Sequence, residues 1–110
     1  MVELNKTEID ALNEALEDEY RAWATYYQVI TDFGEVRPFI NIRDAEARHI
    51  QALLSLFNSY GITVPRNNWP GRVTQYKTLL EACKAGVIAE IENGQMYDRL
   101  LKSTECMIGC

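Results

Sequence analysis

The chain holds a single histidine in 110 residues, no cluster of basic residues, no apolar run long enough to cross a bilayer, and an odd number of cysteines. Each scarcity removes a class of function. A formal net charge of −5 without a Lys/Arg patch disfavours nucleic-acid binding through a basic surface. A membrane-spanning helix needs about 20 predominantly apolar residues, and no such stretch occurs. The opening Met1-Val2-Glu3-Leu4-Asn5 is polar and acidic, unlike a signal peptide, so the expected location is cytoplasmic. Cys83, Cys106 and Cys110 offer no paired framework, which fits a reducing compartment. Cys106 and Cys110 lack the Cys-x-x-Cys spacing of a zinc or redox site, and Cys83 reads as a small core residue. Internal repeats and low-complexity segments are also absent.

What is present is an ordinary globular composition, 47% hydrophobic and 25% charged, at a length suited to one domain, 1–110. Three- and four-residue spacing of apolar positions predicts three long helices, about 7–31, 38–60 and 73–102, with 103–110 as a tail. The expected class is all-α. Thr7 reads as the first N-cap, with Asp10 reaching back in a capping-box variant. Gly34 and Pro38 bracket a short turn that makes the first two helices antiparallel neighbours. The run from Thr63 to Gly71 reads as a connection able to cross the end of a bundle, with Trp69 plugging that end.

Each stripe carries a polar residue on a core position. In the first helix Glu19 follows Ile9, Leu12 and Leu16 and precedes Trp23, Tyr26 or Tyr27, and Ile30. In the second, Glu46 and His49 lie between Phe39, Ile42 and Leu53. The third reads Tyr76, Leu79 or Leu80, Cys83, Val87, Glu90, Gly94, Tyr97, Leu101. An ionisable group on a core stripe is costly unless paired, neutralised or bound to metal. Glu19 and His49 are equidistant in sequence from Gly34, and Glu46 and Glu90 are about equally far from the middle of the second connection. The four residues Glu19, Glu46, His49 and Glu90 are therefore expected at one level of one interior. Three carboxylates and an imidazole suit iron or manganese better than a structural zinc, and Glu-x-x-His is how a di-iron helix bundle draws two ligands from one helix. Without metal, at least one of these carboxyls is expected to titrate upward.

Several runs carry a resemblance: Asp18-Glu19-Tyr20-Arg21-Ala22, Phe33-Gly34-Glu35-Val36-Arg37-Pro38-Phe39, Ala45-Glu46-Ala47-Arg48-His49-Ile50, Ala82-Cys83, and Ala89-Glu90-Ile91-Glu92-Asn93 with Tyr97-Asp98. Together they resemble a bacterial ferritin-like domain family distantly similar to rubrerythrin. The resemblance implies a four-helix bundle around a di-iron carboxylate centre, with Glu19, Glu46, His49 and Glu90 at ligand positions. It further implies an iron-handling protein or an oxidoreductase acting with oxygen or peroxide, with manganese or zinc as other metals. Such domains carry a fourth helix with a second histidine motif, which does not occur in these residues. The expectation is hence a homodimer that brings together two copies of the Glu19, Glu46 and His49 half-site. The alternative is a non-catalytic helical dimerisation or interaction module with a vestigial metal site.

Overall fold

A computed structural model describes residues 3–103, and three α-helices with no strands account for the regular structure among them. Helix α1 spans Lys6–Phe33, α2 Phe39–Tyr60 and α3 Leu79–Ser103. None is long and apolar enough to cross a membrane. Cys106 and Cys110 lie outside the described residues.

Helix α1 starts two residues earlier than the Thr7 reading. Its N-cap is Asn5, whose side chain accepts from the Glu8 backbone N–H at 2.9 Å while the Glu8 carboxylate accepts from the Asn5 N–H at 2.9 Å. This reciprocal box satisfies two of the four N–H groups a helix start leaves unpaired. Thr7 lost the role because Asn5 stands three residues before a glutamate, which has the longer reach. The α1–α2 turn contains a cis Arg37–Pro38 peptide, and α2 ends at Gly61 in the left-handed region at φ 64°, which glycine adopts without a Cβ clash.

Helix α1 is the central element, and both other helices pack on it. Tyr26 of α1 meets Glu90 of α3, Glu19 meets Tyr97, and Glu14 pairs with Arg99. Falling numbers on α1 match rising numbers on α3, so the two are antiparallel. Helix α3 consequently runs parallel to α2, and the three do not simply alternate in direction.

That arrangement requires the connection 61–78 to travel the length of the bundle, in place of the expected crossing at its end. Ile62 and Trp69 pack on a core cluster built from Leu12, Leu16, Leu53 and Phe57, whereas Tyr76 joins a second cluster formed by Tyr26, Val29, Phe39 and Ala82. Trp69 thus sits beside the middle of α1. Its indole N–H donates to Glu17 at 3.0 Å, and the Arg21 guanidinium lies 5.8 Å from its ring centroid. The stretch 73–78, expected to be helical, belongs to this connection. Thr78 accepts from the Glu81 N–H at 3.1 Å and the Glu81 carboxylate accepts from the Lys77 N–H at 3.3 Å, which starts α3 at Leu79.

The face α3 turns to α1 also differs from the predicted stripe. Ala82 and Leu100 are buried, and a Cβ added to Gly86 would meet Tyr26 and Phe39 at 3.7–3.9 Å. Val87, expected in the core, is 62% exposed. Small residues allow the helix to approach the aromatic rings of α1 and α2, and they carry little weight in a stripe drawn through large side chains. The helix is consequently rotated by about one residue step, roughly 100°, from its expected register.

The core burial locates the stability. Leu16 and Phe57 have no exposed surface. Leu16→Ala is expected to cost about 3 kcal/mol, in the range for a buried leucine whose cavity closes only partly, whereas Asn5→Ala should cost about 1 kcal/mol through the lost cap. Urea unfolding followed by circular dichroism measures both, and equal costs would contradict this division between core and cap.

Candidate metal-binding site

Glu19 sits near the middle of α1 with no exposed surface, enclosed by α2 on one side and α3 on the other. Its Oε1 accepts from the Tyr97 hydroxyl at 2.8 Å and from the Asn93 amide at 3.2 Å, both on α3. Its Oε2 lies 3.3 Å from His49 Nδ1 on α2. That nitrogen donates when it carries the proton, and as a neutral acceptor it cannot bond a carboxylate. The Asn93 amide also donates to Asp18 at 2.5 Å, tying a second acid to the same group.

Glu46 stands on the adjoining face of α2, one turn before His49, and is only 3% exposed. Its Oε2 is 3.6 Å from His49 Nδ1, beyond hydrogen-bond reach, and this buried oxygen has no hydrogen-bond partner among the described residues. A buried carboxylate oxygen left without a hydrogen-bond donor costs the desolvation of a charged acceptor, which an imidazole 3.6 Å away offsets only when protonated. One donor atom each from Glu19, Glu46 and His49 falls within 4.8 Å of the others. Two oxygens and one nitrogen so gathered form a donor set that suits a borderline or hard divalent cation, and a cation would complete the bonding of the Glu46 oxygen.

Two expected members occupy other surroundings. His49 was expected on a core position, yet its side chain is 54% exposed, because the buried line of α2 runs through Phe39, Glu46, Leu53 and Phe57. The imidazole reaches Glu19 from the flank of that line. Glu90 is outside the three-residue group. Its Oε1 accepts from the Tyr26 hydroxyl at 2.6 Å, about one turn of α3 before Asn93 and two before Tyr97. The lengthwise connection and the antiparallel packing of α3 on α1 set Glu90 level with Tyr26. A cleft of about 390 Å³ joins the two regions, with Asp18, Tyr26, Glu46, Glu90 and Asn93 among its walls.

Sequence reasoning missed Asn93 and Asp18, the polar pair beside Glu19. Asn93 follows Glu90 by three residues on the same side of α3, which is the signal that could have found it once the true register of that helix was known.

The two tyrosine hydroxyls that grip acids are held protonated. Burial raises both above their ordinary value of 10.0, and the hydrogen bonds to Glu90 and Glu19 add to the rise for Tyr26 and Tyr97 respectively. A folded-state pKa above the unfolded one stabilises the fold fully below about pH 10, and the contribution is lost as pH climbs beyond that. Tyr97→Phe should destabilise by about 2 kcal/mol at neutral pH, because Glu19 cannot turn to water for a replacement donor. Tyr26→Phe should cost less, since Glu90 is exposed. Thermal unfolding followed from pH 7 to 11 should show the parent's advantage over Tyr97→Phe shrinking above pH 10. An advantage unchanged by pH would mean that the hydroxyl is not the stabilising form.

No family model, curated protein or solved structure matches this chain.

Proposed function

We propose that Glu19, Glu46 and His49 bind a divalent transition-metal ion, iron first and manganese or zinc as alternatives, in a helical bundle of ferritin-like type. The observation that carries the reading is the buried Oε2 of Glu46, which has no hydrogen-bond partner and lies with its carboxylate in one group with Glu19 and His49. A cation bound there relieves two costs together: the orphaned acceptor, and the repulsion between two acids withdrawn from water. Glu19 is already oriented by Tyr97 and Asn93, as outer hydrogen bonds orient metal ligands elsewhere. His49 remains accessible from solvent, which gives the ion an entry side.

Iron held by two carboxylates and an imidazole supplies electron transfer toward oxygen or peroxide. A pair of iron ions needs more ligands than these three. Glu90, expected among them, is engaged by Tyr26, so each site holds one ion. The protein's own part is to withhold the acids from bulk water, to aim Glu19 through two donors and to leave one imidazole free to exchange its proton for metal.

A second reading, a helical interaction module, draws support from a different feature: four large apolar residues of α3, Leu80, Val87, Ile88 and Ile91, are each more than half exposed. One set of measurements separates metal binding from a purely structural cluster. Protein purified without chelator should contain iron, manganese or zinc, and the demetallated form should take up one Mn²⁺ per chain in calorimetric titration. Glu46→Ala and His49→Ala should each weaken that uptake at least about tenfold, while Glu46→Ala without metal should be no less stable than the parent. Absence of all three metals, together with no measurable Mn²⁺ uptake, would contradict the reading.

A further inference from the structure

Helix α3 packs Ala82, Gly86, Asn93, Tyr97 and Leu100 toward α1, and its opposite side carries a second regular pattern. Leu80, Lys84, Val87, Ile91, Gly94, Asp98 and Leu101 alternate spacings of four and three over six intervals, the seam of a coiled coil. All seven are exposed. A seam of this kind is the surface on which one helix accepts another.

The order of residues along the seam identifies the second helix. Counted outward from Ile91 along the seam, Lys84 and Asp98 are each seven residues away, Leu80 and Leu101 eleven and ten, and Val87 and Gly94 four and three, so each pair matches to within one residue. An antiparallel copy related by a two-fold axis at Ile91 therefore sets leucine against leucine at both ends, lysine against aspartate at both inner polar positions, and a branched side chain against a glycine. A parallel copy would oppose Lys84 to Lys84 and Asp98 to Asp98. Neither Lys84 nor Asp98 has an ion-pair partner among the described residues.

Gly94 supplies an independent observation. A glycine inside a helix costs about 1 kcal/mol relative to alanine, and a Cβ added at Gly94 would meet nothing within 4 Å. Nothing among the described residues requires a glycine there, in contrast to Gly86. Room for the Val87 side chain of a facing copy does.

We propose that the protein is a homodimer joined by antiparallel pairing of α3 with the same helix of a second copy, centred on Ile91. The interface is isologous, so each favourable contact away from the axis occurs twice. It lies on the side of α3 turned away from α1, and each Glu19, Glu46 and His49 group stays within its own subunit. The dimer is independent of metal binding, and neither proposal fails with the other.

Sedimentation equilibrium of the full chain, with helicity followed by circular dichroism, tests it. The parent should be dimeric in the micromolar range. Ile91→Asp should be monomeric with unchanged helicity, because the site is solvent-exposed in the single chain. Lys84→Glu and Asp98→Lys should each weaken the dimer about tenfold or more at low salt, through like charges facing at both polar positions. Mixing those two variants in equal amounts should restore association to nearly the parent level, since every facing pair is then of opposite sign. A monomeric parent, a dimer indifferent to Ile91→Asp, or single variants that mixing does not restore would each overturn the proposal.

Discussion

The structure depends on the burial of one carboxylate. Glu19 has no contact with solvent, and what permits this is a complete set of donors drawn from both neighbouring helices: Tyr97 and Asn93 from α3, His49 from α2. An acid in that position rejects any packing that leaves an oxygen unmet. It fixes the height of α3 against α1 and the rotation of α2 in a way that hydrophobic contact alone, tolerant of small slides, does not. Glu46 differs from its neighbour in that one buried oxygen has no hydrogen-bond partner among the described residues, and a cation would supply what that oxygen lacks.

Two apolar layers convert this polar centre into a bundle. Below it, Leu12, Leu16, Leu53 and Phe57 close one end; above it, Tyr26, Phe39 and Ala82 close the other. The 61–78 connection lies along both, which is why α3 enters beside Phe39 and runs parallel to α2. The outward side of α3 is left with a regular apolar seam, so the same helix that completes the site from within offers a surface for association without.

The three helices, their approximate ends apart from the start of α3, and the burial of Glu19 and Glu46 were legible in the sequence, because period-3.6 patterns act locally. Three features were not. Asn5 displaced Thr7 as the first cap through a glutamate reaching back three residues. The second connection runs lengthwise, a matter of tertiary packing by Trp69 and Tyr76 that no local signal encodes. The register of α3 followed from Ala82 and Gly86, whose value lies in how little space they fill, while the large apolar residues that dominate a stripe belong to the outward seam. Glu90 lies outside the Glu19, Glu46 and His49 group for the last two reasons, since an assumed hairpin return and a stripe through Val87 both place it beside Glu46.

The central claim is that the acids enclosed with His49 hold a cation. Crystals grown with manganese and measured at its absorption edge test this most directly. The account predicts one anomalous peak per chain within about 2.5 Å of carboxylate oxygens of both Glu19 and Glu46 and of the His49 imidazole. Well-ordered side chains with no peak there, and His49 still hydrogen-bonded to Glu19, would contradict it.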